Sequence, residues 1–340
     1  MTVDDLGEFG LIDRIRAQLP VQGSDVLVGV GDDVAVLRAE GERVWLATCD
    51  VQVEGAHFIR ESIDARDLGW RALAVNLSDI AAAGGLPRFA LVSLGLPGGL
   101  DVAFVDGLYA GMREEAEAFG VEIVGGNISR SRLGLFIDIF LLGEAPRENV
   151  MLRSGARAGD RVLVTGTLGD AAAGVALLLS PERSVAEGYR RVADARRDRP
   201  TPRVREGALI GSSHLATAMI DVSDGLAGDL GHICERSGVS ARIVAGDLPV
   251  AEENRLLSRA HAGDDWHLSL HGGEDYELLF TAPPGQAEEL AKRVTRDTGT
   301  PVSIIGEVLP AGRPPKLVLP DGSSISLSPA GWDHFGKGGR

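Results

Sequence analysis

At 340 residues, 44% of them hydrophobic, the chain is long enough to bury a large core and fits two domains better than one. Its net charge of −15 argues against nucleic-acid and anionic-membrane partners, because the general surface would repel phosphate groups unless metal ions intervened. With no run of about 18 apolar residues, an acidic N-terminus and only two cysteines, the sequence predicts a cytoplasmic protein with free thiols.

The first half of the chain predicts alternating helices and strands. An amphipathic helix is expected from Gly7 to Leu19, because its apolar residues recur with a helical period. The further elements are strands within Val26–Leu37 and at Val44–Thr48, Ala90–Leu96, Val121–Val124 and Leu133–Leu142, and helices from Leu68 to Ala83 and from Asp101 to Gly120. The turn-rich segment Pro146–Gly159 is the expected domain junction, which gives domains 1–145 and 146–340 and an α/β (α+β) fold.

The second half continues this pattern. A strand at Arg161–Thr165 passes through the glycine turn Gly166–Asp170 into a helix ending near Leu179, a junction whose backbone N–H groups can meet an anion. The other predicted elements are strands at Ala216–Ile220, Leu278–Thr281 and Val302–Val308, and helices ending near Ser237 and covering Gln286–Thr295. The seven arginines from Arg190 to Arg205 fit a solvated helix end and loop better than a phosphate site.

Acidic residues recur at the ends of the predicted strands and helices. They are Asp32, Asp33, Asp50, Asp79, Asp221 and Asp224. Taken singly, each fits a cap or turn residue, and Asp32 and Asp33 could simply favour the turn of a hairpin. If several converge, each pair about 4 Å apart costs roughly 4 kcal/mol at an effective dielectric near 20, so bound cations would be needed.

The residue types around these acids favour one kind of metal and one kind of chemistry. Oxygen ligands without a His or Cys cluster indicate Mg²⁺ or Ca²⁺ rather than zinc. Magnesium bridges carboxylates to substrate phosphates, and phosphoryl transfer asks the protein mainly for positioning and charge neutralisation. Neither a Walker A loop nor a protein-kinase signature is present, so another class of ATP-using fold is expected.

Nine short segments, spread from Gly7 to Phe335, together resemble the thiamine-monophosphate kinase family, of the aminoimidazole ribonucleotide synthetase superfamily. These segments are Gly7-Glu8-Phe9, Gly31-Asp32-Asp33, Glu54-Gly55-Ala56-His57-Phe58, Ala74-Val75-Asn76-Leu77-Ser78-Asp79, Arg153-Ser154-Gly155-Ala156, Val164-Thr165-Gly166, Asp221-Val222-Ser223-Asp224-Gly225-Leu226, Gly272-Gly273-Glu274-Asp275-Tyr276-Glu277-Leu278 and Gly331-Trp332-Asp333-His334-Phe335. The resemblance implies two α/β domains, a homodimer formed through the N-terminal sheets, and Mg²⁺-assisted transfer of the ATP γ-phosphoryl group to thiamine phosphate, giving thiamine diphosphate and ADP.

The resemblance also implies roles for particular residues, with no protein nucleophile or base among them. The implied magnesium positions are Asp33, Thr48, Cys49, Asp50, Asp79, Asn127, Asp221 and Asp224, with Asp50 and Asp221 positioning metal and phosphates. The implied ATP contacts are Gly126, Asn127, Arg153 and Ser223, and the implied thiamine phosphate contacts are His57, Glu274 and Trp332. Arginine offers a fork for phosphate oxygens and tryptophan a ring face for a cationic thiazolium, although His57 also fits a purely structural histidine.

Two positions depart from the family's pattern. The family usually has Thr at the position of Cys49 and Asp at the position of Asn127. The change at Cys49 matters little if the backbone carbonyl is the ligand, whereas Asn127 keeps an oxygen but loses a charge, so one metal is expected to bind more weakly. Asp32 is expected to serve the turn or to support the ligands rather than bind metal.

Other functions stay open on the sequence alone. A sister enzyme of the superfamily, such as selenophosphate synthetase or the hydrogenase-maturation dehydratase, would need a reactive cysteine near the N-terminus or at the C-terminus, and the chain shows neither. A non-catalytic protein that binds nucleotide or thiamine phosphate is the alternative from another class, and Asn127 is the residue that motivates it.

Overall fold

Two β-sheets organise the part of the chain that the structure describes, residues 2–19 and 23–327 of the computed structural model. The strands of the first sheet are β1 (Val26–Val28), β2 (Ala35–Arg38), β3 (Arg43–Val53), β4 (Leu86–Pro97), β5 (Glu122–Ser131) and β6 (Phe136–Pro146). They lie in the order β1-β2-β3-β6-β4-β5, and the pairing is antiparallel except between β4 and β5.

The second sheet is built from later strands. They are β7 (Arg161–Thr165), β8 (Ala218–Asp221), β9 (Val239–Val244), β10 (Leu278–Ala282), β11 (Val302–Pro310), β12 (Lys316–Val318) and β13 (Ser324–Ser326). Their order is β13-β12-β9-β11-β7-β10-β8, with one parallel pair, β9 and β12. The expected mixed α/β architecture is thus confirmed.

Helices cover the sheets and connect their strands. They are α1 (Val3–Gln18), α2 (Ala65–Ala82), α3 (Val102–Phe119), α4 (Asp170–Leu179), α5 (Glu187–Asp198), α6 (Val204–Ser213), α7 (Leu226–Ser237), α8 (Glu252–Ala262), α9 (His267–His271) and α10 (Pro284–Thr298). The Asp101 carboxylate caps α3 by accepting a hydrogen bond from the Ala103 N–H group, and Gly120 ends that helix in a left-handed conformation. No described helix is both long and apolar enough to cross a membrane.

Helix α2 lies between the two halves of the molecule. It packs against β3, β4 and β6 of the first sheet, against α3, and against α6 and β8 of the second half. Its side chains are accordingly buried on all sides, among them Leu73, Leu77 and Ile80. One hydrophobic core therefore continues from the first sheet through α2 to residues of the second sheet such as Met219 and Phe280.

The first sheet has a buried inner face and an exposed outer face, as the alternation of side chains along a strand requires. Leu46, Ile139 and Val92 point inward and are buried. The outer face carries apolar side chains that are 36–43% exposed, namely Val51, Val53, Leu91 and Phe140. Exposed apolar side chains grouped on one face mark an interaction surface. This group is called the outer apolar face below.

Most differences from the expected elements concern where an element begins or ends. Helix α2 begins after Asp64, whose carboxylate accepts a hydrogen bond from the Arg66 N–H group, so Asp67 lies in the first turn rather than before the helix. Strand β5 continues through the glycines to Ser131, because pairing with β4 holds them extended. Helix α1 begins at Val3 and is broken at Gly7, where φ is 69°.

The arginine-rich run was expected as a solvated helix end and loop, and this is wrong for Arg199 and Arg203. Arg203 is nearly buried, and its guanidinium donates to both Glu277 carboxylate oxygens at 2.6 and 2.5 Å. Arg199 pairs with Asp67 and lies over the Trp70 ring. Arg199 therefore joins the second half of the chain to α2, and Arg203 joins the start of α6 to the residue that precedes β10.

Glu115 on α3 is a buried acid whose two oxygens have no hydrogen-bond partner among the described residues. Burial raises its pKa to about 8. Above pH 4.5, the ordinary pKa of a glutamate, the unfolded chain releases the Glu115 proton while the folded protein still holds it. The free energy of unfolding therefore falls as the pH rises from 4.5 to about 8.

We expect Glu115→Met to remove this pH dependence and to raise the free energy of unfolding by up to about 4 kcal/mol at pH 8, with a smaller gain at pH 5. Urea unfolding at both pH values measures the effect. Glu117→Met, on the exposed side of the same helix, is the matched control. Equal pH slopes in wild type and Glu115→Met would contradict the prediction.

Candidate phosphoryl-transfer site

Three carboxylates converge where the two halves of the chain meet. Asp33 follows the turn after β1, Asp79 lies in the last turns of α2, and Asp221 ends β8. One carboxylate oxygen from each lies within 4.8 Å of the other two. Residues from three separate parts of the sequence thus form one group, called the acidic triad below.

The charges of the acidic triad oppose one another in a poorly solvated place. Burial, followed by the charges of Asp50, Asp221 and Asp33, raises the pKa of Asp79 well above its usual range. Burial and the Asp33 charge raise the pKa of Asp221 to about 7, although the Ser78 hydroxyl donates to Asp221 Oδ2 at 2.6 Å. An arrangement of oxygen ligands that repel one another fits a divalent cation such as Mg²⁺.

Polar contacts between strand β3 and helix α2 hold this region together. The Thr48 hydroxyl donates to Asp79 Oδ2 at 2.5 Å, and Asn76 Oδ1 accepts from the Asp50 N–H group at 2.9 Å. Farther along, Arg71 Nε donates to Gln52 Oε1 at 3.0 Å. Alternate residues of the strand face the helix, so Thr48, Asp50 and Gln52 each meet a different turn of α2.

Arg153 lies beside the acidic triad and bonds to one of its members. Its guanidinium donates to Asp33 Oδ1, with the Nε atom 2.9 Å away. Asp32 instead accepts from the N–H groups of Asp33 and Arg153, at 3.1 and 3.4 Å, and so stabilises the turn. Burial raises the pKa of Asp32 to about 6. This geometry agrees with the turn role expected for Asp32.

Two loops of the second half join beside the acidic triad. The Glu274 N–H group donates to the Ser223 carbonyl at 2.7 Å, and the Tyr276 N–H group donates to the Val222 carbonyl at 2.8 Å. Gly273 has φ of 68°, and a Cβ atom there would stand 2.4 Å from the Ser223 carbonyl oxygen. Glycine is therefore required at position 273 by its backbone conformation and by the close approach of the two loops.

Glu274 and His57, both predicted contacts of thiamine phosphate, meet at one arginine of α2. Arg71 is 2% exposed, and its Nη2 atom donates to Glu274 Oε1. The same Nη2 atom lies 3.5 Å from the His57 carbonyl oxygen. His57 Nδ1 accepts from the Val53 N–H group at 3.1 Å, which leaves Nε2 to carry the proton of the neutral ring.

Other predicted site residues lie apart from the acidic triad. Cys49 is exposed, and its side chain is on the outer face of the sheet because it alternates with Thr48 and Asp50. Gly126 and Asn127 lie on β5, three strands from β3 and hence roughly 14 Å away across the sheet. Asp224 is not in the triad; its N–H group bonds to Asp229 at 3.2 Å. Trp332 lies outside the described residues.

The glycine junction Gly166–Asp170 does meet an anion, but the anion belongs to the chain. The Gly169 N–H group donates to both carboxylate oxygens of Asp275, at 2.9 and 2.8 Å. Asp275 is buried and lies at the N-terminus of α4, where an external phosphate would otherwise bind. The junction therefore serves the fold rather than a ligand.

Arg71, Asn76 and Ser78 are three further residues of this region, whose roles the sequence did not predict. All three are polar and buried on α2, and each bonds to a residue of the predicted site or to its backbone. The signal was available as a run of polar side chains within an otherwise apolar, Ala- and Leu-rich helix. A buried polar group needs a partner, and here the partners are at the site.

Comparisons with known proteins identify similar chains. Residues 31–145 match the family described as AIR synthase related protein, N-terminal domain, and residues 157–314 match its C-terminal domain. The chain is 39% identical to a thiamine-monophosphate kinase of Aquifex aeolicus, over 98% of this chain and 100% of the relative. It is 35% identical to one of Escherichia coli, over 97% and 98%. A solved structure of AaThiL complexed with AMPPCP and TMP has a TM-score of 0.83 at 38% identity, over 98% of this chain and 99% of that one.

Proposed function

The chain belongs to the thiamine-monophosphate kinase family, whose two AIR synthase related domains it contains, and we propose that it phosphorylates thiamine phosphate with ATP. The bond between the γ-phosphorus and the bridging oxygen of ATP breaks, and a bond forms to a phosphate oxygen of thiamine phosphate. The products are thiamine diphosphate and ADP. Both the resemblance in the sequence and the fold class it implied are confirmed by these similarities.

The observation that carries the proposal is the position of the acidic triad beside the Glu274 loop. Asp33, Asp79 and Asp221 offer oxygen ligands, while Glu274 and His57 are held a few turns away along the same helix. We propose that several Mg²⁺ ions bind here: the triad would hold one with Thr48 and Asp50 beside it, and Asn127 and Asp224, which lie apart from the triad, would contact another. Cys49 would contribute its backbone carbonyl, because its side chain is on the outer face of the sheet. Bound magnesium would neutralise phosphate charge and orient the reacting groups.

The remaining chemistry needs no base from the protein. The acceptor is a phosphate monoester whose second pKa is about 6, so it is already ionised at neutral pH. Arg153 stands beside Asp33, where its fork can bind phosphate oxygens of ATP. We propose Gly126, Asn127 and Ser223 as the other ATP contacts, and Glu274, His57 and Trp332 as the contacts of thiamine phosphate.

We also propose that the protein is a homodimer through its N-terminal sheets. Support comes from the outer apolar face, which a second copy would cover with the same side chains. We propose two domains, residues 1–145 and residues 146–340. We also propose that the protein is cytoplasmic. Cys49 and Cys234 form no disulfide in the structure, and their thiols would stay reduced in that compartment.

Incubation with ATP, Mg²⁺ and thiamine phosphate tests the activity, with thiamine diphosphate measured by chromatography. We expect product in proportion to enzyme, and none when EDTA replaces Mg²⁺. Binding of thiamine phosphate and nucleotide without product would instead identify a non-catalytic relative and reject the kinase proposal.

A variant at Asn127 tests the departure in the proposed metal site. We expect Asn127→Asp to lower the Mg²⁺ concentration needed for half-maximal activity by about threefold to tenfold, because it restores a carboxylate ligand. Magnesium titration of the initial rate measures the change. Asn149→Asp adds the same charge in a turn outside the sheet and is the matched control. An unchanged magnesium dependence would remove Asn127 from the site.

A further inference from the structure

Arg71 is placed unusually for a charged side chain. It is 2% exposed, in the middle of an otherwise apolar stretch of α2 between the two halves of the molecule. Burial alone would lower the pKa of its guanidinium, but the charge of Glu274 and its hydrogen bond, followed by the charge of Asp198, raise it overall, so the group stays protonated. A buried charge of this kind persists when the surrounding groups satisfy it.

The partners of Arg71 come from four parts of the chain. Nε donates to Gln52 Oε1 at 3.0 Å, and Nη1 donates to the Arg197 carbonyl at 2.5 Å. Nη2 donates to Glu274 Oε1 and lies 3.5 Å from the His57 carbonyl oxygen. The hydrogen bonds to Gln52 and to the Arg197 carbonyl hold the guanidinium plane in one orientation. Because Nη2 lies in that plane, they also determine the position of the Glu274 carboxylate that Nη2 binds.

The backbone of Glu274 shows why such fixing is needed. Its φ is 62°, in the left-handed region that a residue with a side chain rarely adopts. Such a conformation persists only where the surroundings impose it. Two contacts impose it here: the Glu274 N–H group donates a hydrogen bond to the Ser223 carbonyl, and Glu274 Oε1 accepts one from Arg71. With Oε1 held, Oε2 has a defined direction and can accept a hydrogen bond from a ligand.

We propose that Arg71 is a positioning residue for the phosphoryl acceptor, holding the Glu274 carboxylate and the His57 loop where they bind the organic part of thiamine phosphate. This inference rests on the proposed function. It assigns Arg71 no contact with the reacting atoms. Its effect is on the affinity for the acceptor, because the ATP contacts proposed above are not among its partners.

A second buried arginine, Arg203, also binds a glutamate of the loop that carries Glu274, and it can be compared with Arg71. Arg203 donates to both oxygens of Glu277, three residues after Glu274. The Thr165 hydroxyl also donates to Glu277, at 2.6 Å, and this carboxylate is only 1% exposed, so it is not accessible to a ligand. Arg203 therefore supports the fold near the site without positioning a ligand contact, which makes Arg203→Lys the matched control for Arg71→Lys.

The test combines kinetics with direct binding in the intact protein. We expect Arg71→Lys, which keeps the charge but loses the planar fork, to raise KM for thiamine phosphate about tenfold or more, with KM for ATP within about twofold. Calorimetric titration with thiamine phosphate should show the same loss of affinity. Arg203→Lys should lower the Tm but leave both KM values unchanged.

A double-mutant cycle separates positioning from general damage. If Arg71 acts through Glu274, then Arg71→Lys should weaken acceptor binding little further in a Glu274→Gln background. Additive losses, or equal increases in both KM values, would overturn the inference. If the wild type is active and Arg71→Lys binds thiamine phosphate as tightly as the wild type does, only the inference about Arg71 is wrong. If the wild type neither binds nor phosphorylates thiamine phosphate, the proposed function is wrong as well.

Discussion

Asp221→Asn should lower turnover by about 10²–10³-fold or more while leaving the metal-free protein at least as stable as wild type. Asp221 is 2% exposed, and burial and the Asp33 charge raise its pKa to about 7. The wild type therefore loses stability as the pH rises towards and through that value, because the folded carboxylate must ionise beside other carboxylates. Asparagine removes this cost and can still accept the hydrogen bond from Ser78.

The measurement is a pair of experiments on each protein. Initial rates at saturating substrates give the loss of turnover, and thermal unfolding in EDTA at pH 8 gives the stability. Added Mg²⁺ should raise the Tm of wild type more than that of the variant, because a ligand stabilises the state it binds. Asp106→Asn, on the exposed side of α3, is the control. Wild-type turnover in Asp221→Asn would exclude the acidic triad from catalysis.

Phe140→Glu should convert the proposed dimer into a monomer. Phe140 is 41% exposed at the centre of the outer apolar face, opposite Cys49 on β3 and Leu91 on β4. In a twofold interface the change occurs twice, and each copy loses roughly 2 kcal/mol of apolar burial and adds a charge. The dissociation constant should therefore rise by at least about 10³-fold.

Light scattering coupled to size exclusion measures the mass directly. Leu179→Glu is the control, since Leu179 is apolar and 66% exposed but ends α4, a helix that packs against α5, α8 and α9 of the second half. A Phe140→Glu protein that keeps the mass of a dimer would place the interface elsewhere. If wild type is itself a monomer, the dimer proposal is wrong.

The sequence predicted the elements whose signals are local. Asp101 and Gly120 mark the ends of α3 because a cap and a left-handed stop depend on neighbouring residues only. Strand β7 agrees with the predicted range Arg161–Thr165 because it is short, apolar and bounded by turns. Strand β5 was underestimated because its glycines become extended only through pairing with β4, a contact that the local sequence does not encode.

The same distinction applies to the site. Asp33, Asp79 and Asp221 could be predicted as candidates because acids at strand and helix ends stand out, but their convergence depends on how both sheets pack against α2. The junction at Gly169 looked like a phosphate site because its backbone resembles one, and only the fold shows that Asp275 fills it. Arg71 escaped notice since a single arginine in a helix usually lies in solvent.

Helix α2 links the metal-binding region to the acceptor region. Asp79 and Arg71 are 8 residues apart on this one helix, which separates their Cα atoms by roughly 12 Å along its axis. The facing loops from the second half, which carry Asp221 and Glu274, are bonded to each other through the Ser223 carbonyl. A movement of the two bonded loops straight away from α2 would therefore separate Asp221 from Asp79 and Glu274 from Arg71 together.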